Sequence, residues 1–117
     1  MKRGEIWLVS LDPVIGNEAN KCRPAVIMSS DASNEAVAKL GRGMVSVVPL
    51  TSSSRRVLPF QVLMAPDGSN GLSQVSKAHA EQIRSVDSSR LMSLVGQLRR
   101  EDLEAVAEAI RLHLDLE

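Results

Sequence analysis

Two short apolar runs open the chain, Gly4-Glu5-Ile6-Trp7-Leu8-Val9-Ser10 and Pro24-Ala25-Val26-Ile27-Met28-Ser29. Their β-branched and large apolar residues suit a pleated, half-buried surface and predict two paired strands. The polar stretch between them is longer than a hairpin needs, and loops of that kind between short strands are commonly functional. After the second run, Ser29 to Asn34 supply side chains able to cap a short helix over Glu35–Leu40, closed by Gly41. The Val-rich run Met44–Leu50 predicts a third strand that delivers Thr51 to the end of the sheet. Pro59–Met64 predicts a fourth strand with Phe60 in the core, and Pro66-Asp67-Gly68-Ser69-Asn70-Gly71 a turn. Leu72–Ser76 fits a fifth strand or an extended crossing leading into Lys77–Gln82. Ile83–Val86 and Leu94–Leu98 fit further short strands, with a one-turn helix capped by Asp87-Ser88-Ser89 between them.

From Arg100 the period changes. Leu103, Val106, Ala107, Ile110 and Leu114 fall on one stripe of an amphipathic helix, with Glu101 and Asp102 in its first turn and Arg111 and His113 in its last. A helix packed on a small, strongly curved sheet of five to seven strands is the economical fold, and the short Gly-punctuated strands favour a barrel. At 117 residues the chain is expected to form one domain spanning 1–117.

Composition narrows the function. Fourteen Lys and Arg balance fourteen Asp and Glu, so no global field holds a polyanion, although the N-terminal half has more bases than acids and the stretch from Glu101 carries most of the excess acid. Trp7 and Phe60 are the only aromatic residues, which argues against a base-stacking platform. The single Cys22 has no intrachain disulfide partner, fits a reducing compartment, and is read as an incidental thiol at a strand edge. No apolar stretch approaches the ~20 residues of a membrane span and the start lacks the apolar run of a signal peptide, so a cytoplasmic location without membrane association is expected. No Cys/His cluster has metal-ligand spacing, and neither a metal nor another cofactor is expected.

The candidate chemistry lies at the strand ends. Glu18, Lys21 and Arg23 bring an acid and two bases to the mouth of the second strand, with Pro13 and Gly16 bending the backbone before it. Thr51-Ser52-Ser53-Ser54-Arg55-Arg56 concentrates hydroxyl and guanidinium donors suited to phosphate and ribose oxygens. His79 is a candidate general base, whereas His113 more simply complements the dipole of the terminal helix.

Three ordered blocks carry a resemblance. Gly4-Glu5-Ile6-Trp7 followed by Leu11-Asp12-Pro13, Gly16-x-Glu18 and Lys21-x-Arg23-Pro24-Ala25-Val26 resembles the opening of the MazF/PemK/Kid toxins. Val48-Pro49-Leu50-Thr51-Ser52-Ser53 resembles their second block, and Ala80-Glu81-Gln82-Ile83-Arg84-Ser85-Val86 their third. The resemblance implies a mainly β fold, a small SH3-like barrel of the CcdB/MazF/Kid type with a C-terminal helix. It also implies a ribosome-independent, sequence-specific endoribonuclease of a type II toxin-antitoxin pair that cuts single-stranded RNA, whether mRNA, tRNA or rRNA, without metal. Products would be a 2′,3′-cyclic phosphate and a 5′-hydroxyl. It further implies a homodimer that holds RNA in a groove across the two-fold, and a cognate antitoxin that occupies the same groove.

By resemblance, Glu18, Arg23 and Thr51 occupy the positions that carry activity. A metal-free ribonuclease needs only to align the 2′-hydroxyl with the adjacent phosphate, move two protons and stabilise the added charge. Arg23 suits the last task, having a guanidinium too basic to be a general base. Glu18, Glu81 and His79 compete for the base, and the basic residue that some relatives place two before the acid of the third block is His79 here. Asn17, Asn20, Lys21, Ser52, Ser53 and Gln82 are candidates for reading base edges, and Arg55 and Arg56 for phosphate. The competing readings are a CcdB-like gyrase-binding toxin, whose decisive surface is the terminal helix, and an RNA-binding module without catalysis. The chain ends Leu114-Asp115-Leu116-Glu117 and lacks the terminal aromatic of the gyrase poisons.

Overall fold

The computed structural model describes residues 1–11, 22–53 and 55–117. Strands β1 (Glu5–Ser10) and β2 (Cys22–Ile27) pair antiparallel, with Ile6 opposite Val26 and Val9 opposite Arg23. Helix α1 (Asp31–Leu40) follows, then β3 (Met44–Thr51), β4 (Gln61–Met64), β5 (Ser76–His79), β6 (Arg84–Asp87), β7 (Leu91–Gln97) and helix α2 (Arg100–Leu114). The sheet runs β4-β5-β3-β2-β1-β7, with β6 also on β3. One edge of β3 is shared: Met44–Val47 pair with β6, and Leu50 and Thr51 pair with Ala78 and Lys77 of β5. Such a sheet curls strongly but does not close. Its two ends, β4 and β7, are joined by a loop rather than a ladder, through the Gln97 N–H donating to the Ser69 carbonyl at 2.9 Å.

Both faces of the central strands are buried, which is why β2 and β3 are nearly continuous apolar runs. On one face Ile6, Val26, Met28, Val48, Leu50, Met64, Ala78 and Leu98 pack with Val106 of α2. The other holds Val9, Leu11, Ala25, Ile27, Val45, Val47 and Val86. Each fully buried side chain of this kind contributes about 1.5–3 kcal/mol. Helix α1 begins at Asp31, a turn earlier than the apolar pattern predicts, because the Ser30 hydroxyl accepts the Ser33 N–H and Asn34 is buried against Ser29. Gly41 closes it in the left-handed conformation at φ 71°.

Three expectations are corrected. The fifth strand starts only at Ser76 and takes in Lys77, Ala78 and His79, while Leu72–Val75 is a crossing that bends at Ser73 and Gln74. Phe60 is half-buried outside the core, because β4 starts only at Gln61; its ring lies 5.6 Å from the His113 imidazole on α2. Leu114 is exposed, since the helical stripe outruns the sheet beneath it, whereas Val106 and Ala109 are buried. Among the described residues no helix is long and apolar enough to cross a membrane.

Candidate active site

Pairing register builds the site. Ala25 of β2 stands opposite Pro49 of β3. Arg23 lies two residues before Ala25, and Thr51 two after Pro49, so the alternation of an antiparallel ladder carries both side chains to the same end of one sheet face. Both line a cavity of about 530 Å³, with Ser52 beside them. Its far wall is Gly71-Leu72-Ser73-Gln74, and Cys22, Pro24 and Val95 are among the other residues that line it. Arg23 also lines a second groove of about 290 Å³ with Gln82 and Arg84, which places two guanidinium groups on one groove of a chain with no net charge.

Behind Thr51 runs a chain of hydrogen bonds. Lys77 and His79 share one face of β5 because Ala78 intervenes, and Gln61 of β4 pairs with His79 across the ladder. Thr51 Oγ1 lies 2.8 Å from His79 Nε2, and His79 Nδ1 lies 2.7 Å from Glu81 Oε1. Gln61 Nε2 donates to the same carboxylate oxygen at 2.9 Å, and the Leu58 N–H donates to Gln61 Oε1 at 3.0 Å. A carboxylate can only accept, so His79 donates through Nδ1, leaving Nε2 of the neutral ring to accept the Thr51 hydroxyl proton. His79 is buried and absent from the cavity wall. Among the described residues, Thr51 links His79 to the cavity.

Burial works to raise the Glu81 carboxyl, but the hydrogen bonds from Gln61 and His79 outweigh it and hold the group below its ordinary value of 4.5. A carboxylate depressed in the folded state stabilises the fold above its unfolded pKa, and that contribution disappears as pH falls through the lower folded value. Glu81→Gln is therefore expected to be less stable than the parent at pH 7, with the two melting curves converging as the pH falls through the depressed folded value. Melting temperatures recorded from pH 7 to 3 check this; a gap that stays constant with pH would remove Glu81 from the linkage.

Of the residues singled out in the sequence, the structure brings Arg23, Thr51 and Ser52 to one cavity, places His79 and Glu81 directly behind Thr51, and sets Gln82 on the adjoining groove. Arg55 and Arg56 are exposed on the β3–β4 connection and line neither cavity; their carbonyls accept from the buried Lys77 Nζ at 3.5 and 3.2 Å. Ser53 is half-buried on that connection, its Oγ accepting the Arg55 N–H at 3.3 Å. Asn17, Glu18, Asn20 and Lys21 lie outside the described residues. Sequence reasoning did not assign Gln61, Arg84, Ser73 or Gln74. Arg84 alone had a local signal, standing two residues beyond Gln82 on a strand.

Residues 2–114 match the family of "PemK-like, MazF-like toxin of type II toxin-antitoxin system". The chain belongs to that family. Endoribonuclease MazF9 of Mycobacterium tuberculosis is 49% identical over 116 residues, covering 99% of this chain and 98% of the relative. Endoribonuclease EndoA of Bacillus subtilis is 29% identical, covering 99% and 96%. Among solved structures, the MazE–MazF crystal structure from Deinococcus radiodurans superposes with a TM-score of 0.79 at 25% identity, covering 100% of this chain and 97% of the other. A mycobacterial endoribonuclease in complex with its cognate antitoxin gives 0.78 at 24% identity, with the same coverage, and supports the fold. The expected MazF-like architecture of a curved, mostly antiparallel sheet with a C-terminal helix is thus present, as an open sheet rather than a closed barrel. The described residues of the blocks that carry the resemblance fall on β1 and β2, on the end of β3, and on the segment between β5 and β6 and on β6 itself.

Proposed function

We propose that this chain is a sequence-specific endoribonuclease toxin that cleaves single-stranded RNA without a metal ion. One observation carries the mechanism: Thr51, on the same cavity as Arg23, is bonded from behind to a His79–Glu81 pair that, among the described residues, does not itself line that cavity. The substrate supplies its own nucleophile. Its 2′-hydroxyl gives a hydrogen bond to Thr51 Oγ1 and, as attack on phosphorus begins, passes its proton to that oxygen while the Thr51 proton moves to His79 Nε2. The resulting imidazolium is stabilised by the Glu81 carboxylate. Arg23 offers two parallel N–H donors to the phosphoryl oxygens as negative charge builds on them. The 5′ oxygen departs with a proton from water in the open cavity, and the hydroxide left behind takes back, through Thr51, the proton held by His79, leaving a 2′,3′-cyclic phosphate, a 5′-hydroxyl and the neutral relay.

The endoribonuclease names of MazF9 and EndoA support this reading, and the antitoxin-bound mycobacterial relative supports neutralisation by a cognate antitoxin. The proposal includes a homodimer working in the cytoplasm, formed from a single toxin domain over residues 1–117. It is tested by incubating the antitoxin-free protein with mixed single-stranded RNA in EDTA and mapping the ends. The expected result is cleavage at defined sequences with cyclic phosphate termini. Cleavage that EDTA abolishes, or intact RNA from folded protein, would overturn it; inhibition of gyrase in the latter case would favour a poison acting through α2.

A further inference from the structure

We propose that the cavity beside Arg23 and Thr51 is a nucleobase subsite, and that Gln74, assisted by Ser73, reads the edge of the base next to the scissile phosphate. The inference deepens the endoribonuclease reading and rests on it for the position of the phosphate. Its first ground is the rigidity of the far wall. Asn70 is fully buried, its Oδ1 accepting from the N–H groups of Asp67 and Leu72 at 3.2 and 3.0 Å and its Nδ2 donating to the Ala65 carbonyl at 2.9 Å. Asp67 Oδ1 accepts the N–H groups of Ser69 and Asn70, each at 2.8 Å, and Arg99 at the start of α2 lies 3.3 Å from Asp67 Oδ2. Two glycines let this loop lie flat on β7. Gly71 has φ +69°, and a Cβ there would stand 2.0 Å from the Val95 carbonyl oxygen; a Cβ on Gly96 would stand 2.3 Å from the Asn70 carbonyl carbon.

The bonds fix the loop up to Leu72, so that Leu72, Ser73 and Gln74 line the cavity from a held wall, the preorganisation that base discrimination requires. The second ground is chemistry. Leu72, Val95 and Pro24 give apolar contact for the faces of a base in a chain almost without aromatics, and the volume is that of a small-molecule site. The side chains of Ser73 and Gln74 are exposed and make no hydrogen bond among the described residues. The Gln74 backbone is held nonetheless, its carbonyl accepting from Ser76 Oγ at 3.0 Å. A glutamine amide sets one donor beside one acceptor, the pattern that pairs with a base edge and tells one base from another. In single-stranded RNA that edge is unpaired.

The test is to cut a randomised RNA pool with the parent, Gln74→Leu and Gln74→Glu, and to sequence the ends. At one position adjoining the cut, Gln74→Leu is expected to flatten the base preference by roughly 10-fold, and Gln74→Glu, which replaces the donor by an acceptor, to change the preferred base. Preferences unchanged at every position in both variants would overturn the subsite while leaving the endoribonuclease reading intact. Should the parent cut nothing, that reading falls. The subsite is then tested by selecting randomised, fully 2′-deoxy oligonucleotides on the parent and on Gln74→Leu: an enrichment lost in the variant supports it, and identical enrichment in both overturns it.

Discussion

Arg23→Ala is expected to slow single-turnover RNA cleavage by roughly 10²–10³-fold, the usual effect of removing one preorganised donor from a developing oxyanion. Binding of an uncleavable RNA carrying a 2′-deoxy group at the cut should weaken far less, by about 10-fold, because only part of what Arg23 contributes is present before charge builds on the phosphate. Arg23→Lys should recover little, since an ammonium lacks the planar fork that meets two phosphoryl oxygens at once. The fold should be indifferent to either change. Arg23 is exposed near the start of β2, and surface changes of this kind are usually within about 0.5 kcal/mol. Equal losses of binding and cleavage would reduce Arg23 to an electrostatic anchor and take it out of the transition state.

Arg23 could be picked out from the sequence because its position depends on local pattern alone. The row Arg23, Ala25, Ile27 alternates with Pro24, Val26 and Met28, and the row Thr51, Pro49, Val47 ends the next apolar run, so each side chain is aimed by its own strand. What joins the two rows is a register, Ala25 opposite Pro49, that no local pattern sets. The same limit hid the role of His79. Its contact with Thr51 spans 28 residues and depends on β5 pairing with the last two residues of β3 while β6 takes the first four. Gln61 was invisible for a related reason: a glutamine at the start of a strand is ordinary until the ladder sets it opposite His79.

Two misreadings have the same origin in tertiary context. Phe60 is the larger apolar residue of its segment, yet the strand starts one residue later and the ring is left against His113. Leu114 continues a correct helical period past the edge of the surface that the helix covers. The turn Pro66–Gly71 was legible as a turn from composition. That it is also a rigid wall required the burial of Asn70 and the contact of Gly71 with Val95.

Thr51→Val is expected to cost roughly 10²–10³-fold in cleavage, and His79→Ala a comparable amount, because each interrupts the hydrogen-bonded path from the cavity through Thr51 to His79. The informative quantity is their combination. If Thr51 and His79 act as a unit, the double variant should be little slower than either single one, since a relay broken once has nothing further to lose. Independent roles, with Thr51 only donating to phosphate and His79 only binding RNA, would instead multiply the two losses. Valine in place of Thr51 also leaves Nε2 of a buried imidazole without a partner, at about 1–3 kcal/mol, so stability has to be followed in the same proteins. Thr51→Ser separates the two effects. It restores the hydroxyl at 2.8 Å from His79 without the methyl group, and most of the activity should return with it. Multiplicative losses in the double variant, or a serine variant as slow as the valine one, would assign the hydroxyl a role that does not involve His79.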